Sequence, residues 1–110
     1  MNEEILYIGR NNEIRRTFQE NGAPKDVSSA VKIILELFDS PGTNLASWNT
    51  IDHSSLFDTS GLANGLITFK PGASTIASEM KGRHFARYTV QTASEPQGVV
   101  FPEFAVRIVD

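Results

Sequence analysis

The last quarter of the chain alternates between residues typical of a buried face and polar residues, and this pattern constrains the fold more than any other feature. From position 84 to position 90 the even positions hold a histidine, an alanine, a tyrosine and a valine, while most odd positions are polar. Residues 104–109 alternate in the same way. A period of two predicts extended strands with one buried face. Because residues 93–97 have the composition of a turn, the two segments are predicted to pair as a terminal antiparallel hairpin.

The segments before this hairpin indicate further short strands. Residues 31–38 are the most apolar stretch, and alternate positions from Val31 to Leu37 place branched side chains on one face. A strand is favoured there over a helix, since eight residues are few for a helix. The other predicted strands cover residues 5–8, 13–19 and 65–70, and an Asn-Gly turn follows the second of them. Residues 44–62 are the least regular part, with one short strand expected in a long loop.

Residues 73–80 are the one predicted helical turn, with Ser74 as its cap and with Ile76 and Met80 on its buried side. About seven strands at intervals of about ten to fifteen residues predict an all-β fold, an immunoglobulin-like antiparallel β-sandwich. A small open barrel or a jelly-roll fragment is the alternative. The 110 residues are assigned to a single domain, 1–110, without a repeat or linker.

The composition narrows the classes of function. The chain has no cysteine, which excludes a disulfide framework, a cysteine-based zinc site and a thiol nucleophile. A net charge of -3 with both signs interspersed gives no basic surface for nucleic acid. We find no apolar run of membrane-spanning length and no cationic secretory start, so we expect no membrane partner and no export by a signal peptide.

The residues with catalytic or metal-binding chemistry form no recognised pattern. His53 lies between Asp52 and Asp58 in the irregular segment, but a metal site needs three or four convergent ligands. His84 falls on a core position, where a hydrogen-bonded structural histidine is expected. No serine stands in a nucleophile-elbow sequence. We therefore expect no enzymatic activity, no cofactor and no bound metal.

Arg16 and a set of outward-facing apolar residues are the candidate contact residues. Arg16 shares the inward face of its strand with Ile14 and Phe18, so its guanidinium must reach solvent at the rim or pair with an acid of this chain or of a neighbour. Other apolar side chains are predicted on the outer face of one sheet, where they would form an exposed patch unless the helical turn or the 44–62 loop covers them: Ile34, Phe38, Phe85 and Phe101.

Two further segments have alternative interpretations. The apolar run from Ile5 to Ile8, which includes Tyr7, is a possible assembly strand within residues 1–9 that pairs with the sheet edge of a neighbour. Trp48, His53 and Phe57 are a possible loop platform for recognising a sugar, although Trp48 fits equally well as a plug in the core.

Several motifs occur in a fixed order along the chain. They are Gly-Arg-Asn-Asn-x-Ile-Arg from Gly9, Asn-Gly-Ala-Pro-x-Asp-Val-Ser from Asn21, Gly-Leu-Ile-Thr-Phe from Gly65, and Gly-x-His-x-Ala-x-Tyr from Gly82, before a final strand that ends Phe-Ala-Val-Arg-Ile-Val-Asp. Together they resemble small immunoglobulin-like domains of tailed bacteriophages and prophages, similar to N-terminal modules of upper-baseplate proteins. His84 departs from the pattern, because the family has an aromatic residue in its Gly-x-Tyr step.

The resemblance implies a non-enzymatic virion structural protein, assembled in the cytoplasm of the host bacterium. Its place would be on the tail, at the baseplate, tail tip or fibre attachment, and it would act by multivalent contacts with other virion proteins and with copies of itself. Capsid decoration is the first alternative. A carbohydrate- or receptor-binding module for a host-surface glycan is the second.

Overall fold

The computed structural model describes residues 3–39 and 42–110, and the regular structure of these residues is almost entirely β-strand. The strands are β1 Glu4–Tyr7, β2 Ile14–Thr17, β3 Gln19–Glu20, β4 Ala23–Pro24, β5 Ala30–Phe38, β6 Asn44–Asn49, β7 Phe57–Asp58, β8 Leu66–Phe69, β9 Gly82–Thr92, β10 Val99–Val100 and β11 Phe104–Val109. Short 3₁₀ turns lie at Ser54–Leu56, Leu62–Asn64 and Ser78–Met80. No helix in these ranges is long and apolar enough to cross a membrane. The prediction of an all-β fold is confirmed.

Two sheets face each other. The large sheet has the order β1-β11-β9-β5-β6, with β10 also paired to β9, and the small sheet has the order β2-β8-β7. When the two-residue strands β3, β4 and β10 are left out, the strands from β2 onward take the letters B, C, C′, D, E, F and G in chain order. The small sheet is then B-E-D and the large sheet contains G-F-C-C′. This is the strand order of an immunoglobulin-like sandwich, as predicted.

The first strand differs from the prediction of a wholly antiparallel sandwich. β1 pairs in parallel with β11, and Leu6 lies opposite Ile108 in this register. Both side chains are buried, so the pairing closes the large sheet at one side. The described residues form eleven strands rather than the predicted seven, and four of them, β3, β4, β7 and β10, contain only two residues each.

The core lies between the two sheets and confirms most of the predicted alternation. It is built from residues of both sheets and of the loops between them: Leu6, Ile14, Phe18, Val27, Ile33, Leu35, Leu37, Trp48, Phe57, Ile67, Phe69, Ile76, Ala86, Tyr88, Val90, Phe104, Val106 and Ile108. The prediction was wrong for Val31, which is 56% exposed. The pairing of β5 with β9 shifts register between Ala30 and Lys32, and this bulge breaks the alternation at that point.

The turn at Asn21 and Gly22 joins β3 to β4. Both residues have positive φ, 55° and 80°, which is the backbone of a two-residue type I′ hairpin. Asparagine and glycine tolerate this conformation best, and for that reason the sequence signal for a turn was reliable here.

Two predictions about the middle of the chain need correction. The helical turn predicted over residues 73–80 is limited to a 3₁₀ turn at Ser78–Met80, preceded by Ala77 rather than by a capping Ser74 side chain. The segment 44–62 is more regular than expected, because it contains both β6 and β7. Its loop is stabilised by hydrogen bonds that the side chains of Asn49 and His53 make.

Candidate functional site

The acidic and histidine residues of the 44–62 segment stabilise its turns. Nδ1 of His53 accepts the backbone N–H of Asn49 at 3.1 Å, and Asp52 Oδ2 accepts the Asn49 side-chain amide at 3.1 Å. Asp58 accepts hydrogen bonds from the Ser60 hydroxyl and backbone N–H, which lower the pKa of its carboxyl group. Within the described ranges, no three His, Asp or Glu side chains are placed to hold a metal ion.

The loop platform predicted from Trp48, His53 and Phe57 is not formed. Trp48 and Phe57 are 7% and 8% exposed, and their ring centres lie 5.0 and 5.3 Å from that of Phe69 in the core. These aromatic faces are covered by protein and cannot stack on a sugar. Trp48 instead fills the core with its indole, which was the alternative interpretation of this residue.

His84 is a buried structural histidine, as expected. It is 7% exposed, and its Nε2–H donates to the carbonyl oxygen of Met80. The bond joins β9 to the 3₁₀ turn that precedes it. His84 therefore positions a connection within the fold.

Arg16 pairs with an acid of its own chain, which was one of the three predicted solutions. Its Nη1 lies 3.3 Å from Oε2 of Glu4, and its guanidinium carbon lies 4.1 Å from the ring centre of Phe104. Both charged side chains are about one-third exposed, at 32% and 27%. Because β2 belongs to the small sheet and β1 to the large one, the pair bridges the two sheets at one side of the sandwich.

We define the outer face of the large sheet as the side chains that point away from the core. This face carries the predicted Ile34, Phe38 and Phe85. Phe38 lies directly opposite Phe85, which is 43% exposed. Ile34 lies opposite Thr89, and Thr89 in turn lies opposite Val100, which is 58% exposed. The two groups stand four residues apart along β9, about 13 Å.

An ion pair separates these two apolar groups. Arg87 Nη2 lies 3.2 Å from Glu36 Oε1, and the Arg87 guanidinium carbon lies 4.6 Å from the ring centre of Phe38. The outer face is therefore two apolar patches around a partly exposed charge pair. Such a pair contributes to the specificity and orientation of a contact more than to its affinity.

Phe101 does not belong to this outer face, which corrects its prediction. Its ring centre lies 4.6 Å from that of the buried Phe18, and its backbone N–H donates to the Tyr88 carbonyl oxygen at 3.0 Å. Phe101 precedes the regular part of β11, so the alternation of that strand did not apply to it. Its side chain packs against the core.

The strand predicted from Ile5 to Ile8 is part of the chain's own sheet, which corrects its prediction as a strand donated to a neighbour. β1 pairs with β11, and its outer side is blocked at Tyr7 by the side chain of Asn12. Asn12 Oδ1 accepts the Tyr7 N–H at 2.8 Å, and Asn12 Nδ2 donates to the Tyr7 carbonyl at 3.0 Å. Ile5 and Tyr7 turn their side chains to the outer face, where they are 38% and 37% exposed.

The opposite edge of the large sheet is capped in the same way at Asn49. On β6, the Asn49 N–H donates to Nδ1 of His53, and the Asn49 carbonyl accepts the His53 N–H at 2.9 Å. A side chain and a loop backbone thus take the place that a neighbouring strand would fill. Sequence reasoning missed the capping roles of Asn12 and His53, although Asn12 follows a predicted strand closely enough to fold back on it.

No protein-family model matches this sequence, and no curated protein matches it. The outer face of the large sheet is therefore the candidate site on the strength of its geometry alone.

Proposed function

We propose that the protein is a non-enzymatic structural component of a tailed-phage particle, and that it attaches to neighbouring proteins through the outer face of its large sheet. The observation that carries this proposal is the exposure of Phe85 and Val100 on the side of the large sheet that faces away from the core. Apolar patches of this kind usually mark contacts with other proteins. The place in a phage tail follows from the resemblance of the sequence motifs.

The caps at the edges of the large sheet support contact through a face. Asn12 and His53 occupy backbone groups at its two edges, which disfavours sheet-to-sheet growth. The outer face remains as a rigid surface with a central Arg87–Glu36 pair. Repeated in many copies, contacts of modest affinity give firm attachment, because each further contact forms within the same assembly.

The experiment replaces Phe85 and Ile34 together by serine. Both side chains lie on the outer face, so the variant is expected to keep the melting temperature of the isolated domain within a few degrees while losing incorporation into particles. Ile51→Ser is the matched control, because Ile51 is 60% exposed and lies in a loop. Normal incorporation of the Phe85→Ser, Ile34→Ser variant contradicts the role of this face.

Particles separated into heads and tails then test the location. The chain is expected in the tail fraction. Recovery with heads would instead identify it as capsid decoration, and absence from both fractions would refute a virion role altogether.

A further inference from the structure

The outer edge of β2 has backbone groups that point away from the sheet. Asn12 N–H donates to the Pro71 carbonyl at 3.0 Å, and Phe18 N–H donates to the Gly65 carbonyl at 2.7 Å. These two bonds continue the register in which β2 pairs with β8. The backbone groups of the even-numbered residues of β2 therefore bond to β8. In an antiparallel pair the intervening residues direct their N–H and C=O groups to the other side. Arg15 and Thr17 therefore present theirs at the outer edge.

No side chain or loop within the described residues caps the outward backbone groups along this edge. Within residues 3–39 and 42–110, no hydrogen bond satisfies the outward backbone groups of Arg15 or Thr17, and both residues are exposed. The edges of the large sheet are capped at one residue each, by Asn12 at Tyr7 and by His53 at Asn49. No hydrogen bond within the described residues satisfies the outward backbone groups of Ile5 and Ser47. The remaining edge of the small sheet, β7, has only two residues, and very short edge strands offer little to pair with.

The strand order leaves no strand of the described residues beside β2 at this edge. In an immunoglobulin-like sandwich the sheet that contains B, E and D also contains a strand A beside B. Here the first described strand, β1, pairs with β11 of the other sheet, and the small sheet consists of β2, β8 and β7. No strand of the described residues takes position A.

A cleft opens next to this edge. It measures about 220 Å³, and its lining includes Thr17 at the strand edge together with Phe18, Tyr88, Phe101 and Phe104. A strand in position A directs alternate side chains between the two sheets, which is where these aromatic rings lie. Arg16 and Gln19 also line the cleft, which thus offers aromatic surface beside polar groups to the inward side chains of such a strand.

We infer that β2 accepts an extended segment of a partner protein, which pairs with Arg15 and Thr17 and inserts an apolar side chain into the aromatic cleft. Backbone hydrogen bonds supply the affinity in this mode of recognition, and the pocket supplies the side-chain preference. The occupant is an extended peptide segment with apolar residues at alternate positions. This inference goes beyond the role of the outer face and does not depend on it.

The test uses the ¹⁵N-labelled full chain and four synthetic heptapeptides with capped ends. The peptides alternate threonine with valine, and only their central residue differs, which is alanine, valine, leucine or phenylalanine. We expect chemical-shift changes and slowed hydrogen exchange at the amides of Arg15 and Thr17, with affinity rising with the size of the central residue. The amides of Tyr7 and Asn49, which are already bonded, are expected to be unaffected.

Two controls separate strand addition from general adhesion. Thr17→Pro removes an outward N–H at an edge where proline is tolerated, and it should weaken peptide binding about tenfold or more. Ser47→Pro makes the corresponding change on β6 and should leave binding intact. Methylation of the peptide nitrogens that face β2 should abolish binding.

The inference is overturned if none of the four peptides protects Arg15 and Thr17 at millimolar concentration, or if binding survives Thr17→Pro and peptide methylation. Protection at β6 or on the outer face instead would also overturn it. The Phe85→Ser, Ile34→Ser variant should bind the peptides as the wild type does, so failure here and failure of the outer-face proposal are distinguishable.

Discussion

Tyr88 is buried in the centre of the large sheet, and its hydroxyl has no hydrogen-bond partner among the described residues. Its ring lies between Phe18 and Phe104, with ring centres at 5.4 and 6.0 Å. Burial raises the pKa of the Tyr88 hydroxyl, while the positive charge of Arg16 acts in the opposite direction. The folded protein therefore holds this phenol in its neutral form.

This burial predicts a loss of stability at alkaline pH. The unfolded chain releases the tyrosine proton near its ordinary pKa of about 10, while the folded chain retains it to higher pH. The stabilisation is complete below about pH 10, and it is lost as the pH rises towards the folded pKa, by up to about 1.4 kcal/mol per pH unit. Urea unfolding between about pH 8 and pH 11 measures this slope.

Tyr88→Phe should remove that alkaline slope and change stability at neutral pH by less than about 1 kcal/mol, because the hydroxyl bonds to no protein group. Tyr7→Phe is the control and should keep the slope, since Tyr88 remains. An unchanged slope in Tyr88→Phe would contradict the assignment.

The capped edges of the large sheet act at the scale of the secondary-structure element. Asn12 imitates a short piece of strand beside Tyr7, with one bond in each direction. The cap satisfies an edge that is otherwise available to a second molecule. It thus stabilises β1 and at the same time limits association through that edge.

Asn12→Ala should lower the free energy of unfolding by about 1 kcal/mol, because the three hydrogen bonds of the Asn12 side chain are lost at a partly exposed site. The neighbouring Asn11→Ala is the control, and a change below about 0.5 kcal/mol is expected for this exposed side chain. Urea unfolding measures both variants. Sedimentation velocity should show more self-association for Asn12→Ala, and equal behaviour of the two variants would rule out the capping role.

The pairing of β1 with β11 unites the two ends of the described fold at the scale of the whole molecule. It buries Leu6, which is 2% exposed, and it places Glu4 beside Arg16. The first strand is therefore part of the domain's own stability. This sets it apart from a strand that a neighbour would receive.

Deletion of residues 1–8 should destabilise the domain by more than about 3 kcal/mol, because the core loses Leu6 and Arg16 loses its partner. Circular dichroism during urea titration is the measurement. Leu6→Ala should have a large part of the effect, about 3 kcal/mol, whereas Ile5→Ala, at a half-exposed position, should cost less than about 1 kcal/mol. A truncated domain of normal stability would restore the interpretation of β1 as an assembly strand.

Local patterns in the sequence predicted those parts of the structure that depend on neighbouring residues. Alternation identified the buried faces of β9 and β11, and the Asn-Gly pair identified the β3–β4 turn. The same rule failed at Val31, where a bulge adds a residue to the strand, and at Phe101, which lies outside the regular strand. The period of a strand separates its two faces but carries no information across a bulge or beyond the end of the strand.

The sequence by itself determined that this chain forms paired strands with one apolar face, since side-chain alternation and turn chemistry are properties of adjacent residues. Only the tertiary structure decided that Trp48 and Phe57 are covered, that Glu4 is the partner of Arg16, and that Asn12 and His53 cap the large sheet at Tyr7 and Asn49. Each of these depends on which strands become neighbours. That choice follows from the packing of two sheets across long sequence separations, and no local pattern encodes it.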